Sequence, residues 1–259
     1  MAEEPEKENL AEGTLISHLL ELRNRLMRAM IAFVIALIPC AFYANKLFTF
    51  VSRPLREKLP PNAHIIATKV MSPFTTPLML AMFAAAFIAM PYILYQVWAF
   101  VAPGLYRREK RFAVPLLVSA VVLFYCGVAF AYQVVFPVVF KYFVGTTPEG
   151  VVMNTDIADY LSFAVQMFFA FGLAFETPVA VVLLVLTGLV KIEKLKSNRG
   201  YVLVGVFIVA AAVTPPDAMS QCIMAVPMYA LYEGGLIMAQ VMSNMRRKDA
   251  ESQETPPAG

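Results

Sequence analysis

Long apolar stretches separated by short polar segments make up most of the chain. One helix needs about 20 mostly apolar residues to cross a hydrocarbon core of about 30 Å. Six stretches are candidates, although the fifth is apolar over only 13 residues. They cover about 26–43, 74–100, 112–132, 160–186, 201–213 and 222–241. The pattern predicts an all-α membrane protein with six transmembrane helices.

The last two stretches are predicted to form a tight hairpin of two short helices, five and six. The sequence TPPD at 214–217 separates them and would form the tip. A short fifth helix should thin the bilayer locally or draw its flanking residues inward. A re-entrant half-helix over 201–213 stays open as an alternative.

Polar segments flank the predicted transmembrane domain, which covers 15–242. Residues 1–14 form a polar acidic leader, and 243–259 form a tail predicted to be disordered. Two long connections, 44–73 and 134–159, lie on the side opposite the termini and are predicted to form a folded cap.

Basic residues are distributed unevenly between the two predicted sides. The side that carries both termini has fifteen Lys and Arg, and the other side has six. Loops rich in Lys and Arg stay in the cytoplasm. We therefore predict that both termini are cytoplasmic and that the first stretch is a retained helix.

The composition excludes several classes of protein. Hydrophobic residues make up 59% of the chain and charged residues 15%, and the mean hydropathy is +0.67. Such values are atypical of soluble domains and of disordered chains. A net charge of +3 does not indicate a nucleic-acid binder.

No motif for catalysis or metal binding is present. The sequence has no HExxH, GxSxG or Walker pattern. Its three cysteines lie in apolar stretches, where we interpret them as packed thiols, and His18 and His64 fall on opposite predicted sides. We expect no enzyme activity, no metal and no cofactor.

Two carboxylates fall inside predicted spans, where ionisable groups are costly and are therefore functional candidates. Glu176 precedes Pro178 in the fourth stretch, and Glu233 lies toward the terminal side of the sixth. Glu176 either bonds to a neighbouring helix or faces a water-filled concavity. For Glu233, packing or interfacial anchoring is the preferred interpretation.

Glu21 and Glu109 lie on the side of the termini, at the level of the membrane surface. Each has arginines nearby, in HLLELR at 18–23 and LYRREKR at 105–111. Each carboxylate could simply pair with its own arginines, an interaction of little energetic value. Alternatively, the two could receive a cationic ligand together, and such a site would prefer arginine to lysine.

These patterns together resemble the TatC family, the multispanning core of the twin-arginine protein translocase. The motifs that carry the resemblance are HLLELR at 18–23, SPF at 72–74, YQVWAFVAPGLY at 95–106 with Glu109, FETP at 175–178, and TPPD at 214–217 with Gln221. The resemblance covers about 15–239 and implies a glove-shaped fold with six helices in the bacterial inner membrane.

The resemblance also implies roles for particular residues. The expected docking site for twin-arginine signal peptides consists of Glu21, Arg23, Phe100, Tyr106 and Glu109. Further expected positions are the concave-face acid Glu176, the partner-contact residues Thr214 and Gln221, and the cap and tip residues Pro54 and Asp217.

The implied partners are single-span proteins of the TatA and TatB type, signal peptides of folded precursors, the bilayer, and further copies of this chain. The proton gradient would supply the energy. One alternative is a small-solute secondary transporter that uses Glu176 as its protonation site, although no internal repeat supports it. Another is a structural scaffold for other membrane proteins.

Overall fold

A computed structural model describes the backbone of residues 4–58, 65–101, 110–146, 148, 155–214 and 217–254. It describes the side chains of 16–17, 19–53, 66–100, 114–146, 148, 156–214 and 217–245. The described segments are mainly helical. In chain order the elements are α1 (Glu4–Phe42), α2 (Ala44–Lys58), β1 (Ile65–Ile66), α3 (Ser72–Val101), α4 (Lys110–Phe130), a π-helical turn (Ala131–Val135), α5 (Phe136–Gly145), β2 (Thr155–Asp156), α6 (Ile157–Phe175), α7 (Thr177–Leu186), α8 (Ile192–Ser197), α9 (Arg199–Val213) and α10 (Ala218–Glu254).

Six helical spans are present within the described segments. Five are long and apolar enough to cross a membrane: Leu19–Phe42, Ser72–Phe100, Val114–Gly145, Ile157–Leu186 and Ala218–Met245. The sixth, α9, has 15 residues and a length of about 22 Å. The predicted all-α membrane fold with a short fifth helix is confirmed.

The sixth transmembrane helix is longer than predicted. α10 contains 37 residues, so the prediction of a short sixth helix is wrong. The helix also continues to Glu254 through most of the segment predicted to be a disordered tail. Its last residues are rich in Arg, Lys, Glu, Gln and Ala, which favour helix, and the next prolines come at 256 and 257.

We call the two ends of the helix bundle the basic side and the cap side. The basic side is where α3 ends, α4 begins and α10 ends. The cap side holds α2, β1 and β2. There the two long connections meet, because β1 pairs in parallel with β2 through Ile65 with Thr155 and Ile66 with Asp156.

Asp156 fixes this meeting point through both carboxylate oxygens. Its Oδ2 accepts hydrogen bonds from the Thr68 hydroxyl at 2.5 Å and the Thr68 backbone N–H at 2.9 Å. Its Oδ1 accepts from the N–H groups of Ala158 and Asp159 and so caps α6. The bonds from the Thr68 hydroxyl and then its N–H lower the pKa of Asp156 to about 2.

The main core is aromatic and surrounds α6. Phe136 and Phe171 are almost fully buried, and Phe136 stacks on Phe168 with ring centroids 6.0 Å apart. Tyr160 packs against Phe136 and donates a hydrogen bond from its hydroxyl to the Val51 carbonyl at 2.9 Å. This bond ties the amphipathic helix α2 to the bundle.

Glycine lets two helices approach the fourth span closely. A Cβ at Gly127 of α4 would lie 2.5 Å from the Phe171 carbonyl oxygen, and one at Gly235 of α10 would lie 2.8 Å from the Pro178 Cα. Both distances are shorter than real contacts allow, and both neighbours are backbone atoms. Small residues at helix interfaces in membranes allow close backbone packing.

Gly127→Ala should therefore lower the free energy of unfolding in detergent by about 1–3 kcal/mol, because the added methyl group overpacks the interface of α4 with α6. Gly205→Ala is the matched control, since Gly205 is also helical but has no atom near its missing Cβ. It should leave stability unchanged or raise it. Equal effects of the two changes would contradict the close-packing interpretation.

Asp156→Asn should loosen the cap and change how stability depends on pH. The folded-state pKa lies below the ordinary value of 3.8. The stabilisation by Asp156 is therefore complete above about pH 4 and is lost as the pH falls from there through about 2. The variant should lose this part of the acid sensitivity, and amide exchange at 65–68 should become faster.

Asp159→Asn is the control for this experiment, because Asp159 is an exposed carboxylate in the first turn of the same helix. Amide exchange that stays at the wild-type rate in Asp156→Asn would show that Asp156 does not hold the two connections together.

Candidate functional site

The predicted docking residues on the basic side are only partly described. Glu21 and Arg23 lie on α1, and the half-buried Phe100 lies in the last turn of α3. Tyr106 and Glu109 lie outside the described residues. The structure therefore describes the part of the predicted site that lies on α1 and α3.

Packing between α1 and α3 brings Glu21 and Phe100 to the same level. Ala36 and Cys40 pack in one cluster with Ala81 and Ala85. The two helices run in opposite directions. Moving 15 residues toward the basic side leads from Ala36 to Glu21 and from Ala85 to Phe100. Both helices rise about 1.5 Å per residue, so the two side chains lie at similar depth.

The Glu21 carboxylate already binds a guanidinium group. Its Oε1 accepts from Arg25 Nε at 3.0 Å and from Arg25 Nη2 at 2.5 Å, one helical turn away. The Glu21 side chain is 41% exposed, and Oε2 has no hydrogen-bond donor in the described part of the chain. The structure thus contains an ion pair between Glu21 and an arginine of its own helix, as the first of the two interpretations predicts. The Oε2 atom of this partly exposed side chain stays accessible.

Glu176 lies at a break in the fourth span. Pro178 has no N–H to donate to the carbonyl of Ala174, so the helix is interrupted between α6 and α7. The Glu176 N–H bonds to the Leu173 carbonyl at 3.1 Å in a tighter turn. Glu176 therefore lies at the junction of α6 and α7.

The Glu176 side chain is half-buried and lacks a local partner. Its Oε1 atom is buried and receives no hydrogen bond from any described residue. Leu173, one turn earlier, is 56% exposed, so this face of α6 is open. A buried carboxyl oxygen without a donor is unfavourable, which favours a polar group supplied from outside the described residues.

Asp217 organises the tip of the hairpin between α9 and α10. Its carboxylate accepts from the N–H groups of Met219 and Ser220 at 3.0 and 3.1 Å, which caps α10. The Tyr142 hydroxyl donates to Asp217 Oδ1 at 3.0 Å and joins the tip to α5. The pKa of Asp217 lies below its ordinary value, chiefly because of Ser220 and then Met219 and Tyr142.

The two predicted partner-contact residues differ in their environments. Thr214 is buried, and its hydroxyl donates to the Ala210 carbonyl at 2.8 Å within α9. Gln221 is half-buried on the first turns of α10, and its side chain has no hydrogen-bond partner among the described residues. The amide of Gln221 is thus the more available contact. Pro54 belongs to α2, but its side chain is not among those that the structure describes.

Glu233 has a structural partner on a neighbouring helix. Its Oε2 lies 2.6 Å from Arg199 Nη2, and its Oε1 accepts from the Tyr229 hydroxyl at 2.9 Å. This ion pair joins the start of α9 to α10 on the basic side. The structure therefore supports the packing interpretation for Glu233.

Sequence reasoning missed several polar residues that the structure makes prominent. Arg25 pairs with Glu21, and Tyr142 holds the hairpin tip. Gln96 in α3 is only 3% exposed, and its Oε1 has no donor among the described residues. A polar amide within an apolar span was a visible signal, whereas the Tyr142 contact joins residues 75 positions apart. No group of metal-binding side chains occurs in the described ranges.

Comparisons with known proteins agree with this architecture. The family model for the Sec-independent protein translocase protein TatC matches residues 17–227. The TatC protein of Haemophilus influenzae is 48% identical over 238 residues, which is 92% of each chain. That of Escherichia coli K12 is 50% identical over 226 residues, covering 87% of this chain and 88% of the relative.

A solved structure shares the fold. The crystal structure of the twin-arginine translocase receptor TatC superimposes with a TM-score of 0.78 at 33% identity. The match covers 87% of this chain and 99% of that chain. The predicted glove-shaped fold with six helices is therefore confirmed.

Asp217→Ala should destabilise the hairpin tip more than Tyr142→Phe, because it removes the α10 cap as well as the bond to α5. Both variants should lower the thermal unfolding midpoint in detergent and speed amide exchange at 217–221. Tyr125→Phe is a control on the same long span, since its hydroxyl bonds instead to the Phe87 carbonyl. Exchange at 217–221 that increases equally in the control would contradict a specific role for Tyr142.

Proposed function

Because the chain belongs to the TatC family of Sec-independent protein translocase proteins, we propose that it binds twin-arginine signal peptides on its basic side. This family is not enzymatic. The chain is a helical membrane protein of several spans and a component of a translocase. The proposal adds which residues receive the signal peptide, how they select it, and which partners assist.

The arrangement at Glu21 carries the proposal. This carboxylate lies at the start of the first span and already accommodates a guanidinium group from Arg25. An arriving arginine can use the accessible Oε2 or replace Arg25, and either event forms one charge-assisted pair like the existing one. The planar guanidinium forms two parallel hydrogen bonds with a carboxylate, which lysine cannot do.

We propose that Glu109 supplies the second carboxylate. It belongs to the connection between α3 and α4, and Phe100 at the end of α3 is level with Glu21. Arg23 and Tyr106 would complete the site, with Phe100 and Tyr106 contributing aromatic surface beside the charged groups. Each glutamate would then bind one of the two arginines of the signal peptide.

The second part of the proposal concerns partner helices. α9 is short, and its Tyr201, Val204 and Ile208 side chains are exposed by 81%, 59% and 64%. Together with the available amide of Gln221, this face suits single-span proteins of the TatA and TatB type. On the cap side, the hairpin tip would be held in place by Thr214 and Asp217, and the cap by Pro54. Glu176 would offer its unpaired oxygen to a polar group on the concave face.

Orientation and energy supply complete the proposal. Fifteen of the 21 basic residues lie on the side of the termini, which supports an orientation with both termini in the cytoplasm of a bacterial cell and the spans in the inner membrane. The sequence contains no nucleotide-binding motif, so work on a folded cargo would depend on the proton gradient. Family membership does not favour the alternative of a small-solute transporter.

The test is capture of a photo-crosslinkable twin-arginine signal peptide by membranes that contain the variants. Glu21→Ala and Glu109→Ala should each reduce crosslinking at least tenfold, because each removes one partner of an arginine. Glu193→Ala is the matched control, since Glu193 is an exposed carboxylate of α8 on the same side. It should leave crosslinking unchanged.

Arg25→Gln separates the proposal from simple pairing within α1. An intrahelical pair contributes only about 0.3–0.5 kcal/mol, so its loss alone affects helix stability slightly. If docking requires the Glu21 carboxylate, Arg25→Gln keeps or improves capture whereas Glu21→Ala loses it. Equal loss from both changes, or equal capture of a peptide with two lysines, would refute the proposed site.

A further inference from the structure

An apolar cleft of about 530 Å³ opens between α4, α7 and α10. Leu116 and Leu123 of α4 form one wall, Val182 of α7 forms the base, and Gly234 and Met242 of α10 form the other wall. The only hydroxyl in the lining belongs to Ser119, which donates to the Leu116 carbonyl at 2.7 Å. The lining of the cleft is therefore almost entirely apolar.

The depth and size of the cleft indicate its occupant. On α10 it extends from Pro227 to Met242, about 22 Å along the axis, and it ends near the basic side. The lining is apolar over this whole length, which suits extended hydrocarbon chains.

Basic residues follow both walls beyond the end of the cleft. Lys110 and Arg111 begin α4, about 9 Å along the axis before Leu116. The sequence RRK at 246–248 continues α10 about 6 Å beyond Met242. Basic positions at the ends of transmembrane helices attract anionic lipid headgroups on that side of a membrane.

We propose that this cleft binds an anionic phospholipid from the leaflet on the basic side. The acyl chains occupy the cleft between α4, α7 and α10, and the phosphate lies near the basic ends of α4 and α10. The bound lipid replaces protein packing that Pro178, Pro227 and Gly234 leave incomplete between these helices. The inference does not depend on the signal-peptide site, because the lipid uses apolar and basic residues of α4, α7 and α10, whereas that site uses the carboxylates Glu21 and Glu109.

Gly234 provides a direct way to fill the cleft. No atom lies within 4 Å of a Cβ built at this position, so a larger side chain extends into the cleft without striking the protein. The adjacent Gly235 would instead collide with Pro178. Gly234→Leu, together with Ala230→Phe as a second cleft-filling variant, therefore removes the space for acyl chains while the close contact of α7 with α10 is kept.

The experiment is native mass spectrometry of the full chain, purified in detergent and mixed with dioleoyl phosphatidylglycerol or dioleoyl phosphatidylcholine. The wild type should retain the anionic lipid at least fivefold more strongly than the zwitterionic one. Gly234→Leu and Ala230→Phe should lose retention of both lipids. Gly205→Leu adds the same bulk at another open helical glycine and should retain lipid like the wild type.

The contribution of charge is tested separately by changing Lys110, Arg111 and the basic residues at 246–248 to Gln. This variant should retain the two lipids equally, because the cleft persists and the attraction for a negative headgroup is lost. Wild-type retention by both cleft-filling variants would overturn the proposal. Equal retention of the two lipids by the wild type, or a change of oligomeric mass in Gly234→Leu that indicates a second copy in the cleft, would also overturn it.

Discussion

The structure depends on the close approach of other helices to the fourth span. Apolar side chains gain little by leaving lipid for protein, so packing contacts must supply the association of helices in a membrane. Gly127 brings α4 against the backbone of α6, and Gly235 brings α10 against the backbone of α7. These contacts lie above and below the break at Glu176. They hold the two halves of the span against different neighbouring helices.

The sequence predicts much of this architecture because the length of an apolar stretch shows whether a helix can cross a bilayer, and basic loops indicate which side of the bilayer they occupy. It predicts the short α9 for the same reason. The length of α10 was missed, since hydropathy marks where a helix leaves the membrane and not where it ends. The pairing of β1 with β2 and the bond of Tyr142 to Asp217 join distant parts of the chain, which no local pattern reveals.

Site residues can be predicted from the sequence where the residue type alone determines which kind of group it binds. A carboxylate at the start of a span indicates a place for a cation, and Glu21 holds the guanidinium group of Arg25. The choice of that partner depends on rotamers and could not be predicted. The cleft beside α10 was also beyond prediction, because an empty volume results from how three helices diverge. By contrast, the prolines and glycine that line it are visible in the sequence.

The position of α1 has a consequence for how the molecule can move. Its packing is chiefly with α3, and the large aromatic core contains no residue from it. Of its side chains, Cys40 alone belongs to the buried residues that the structure describes. The helix that carries Glu21 is thus attached to the rest of the molecule along one side, chiefly through α3. A shift of α1 would therefore disturb few contacts other than those with α3.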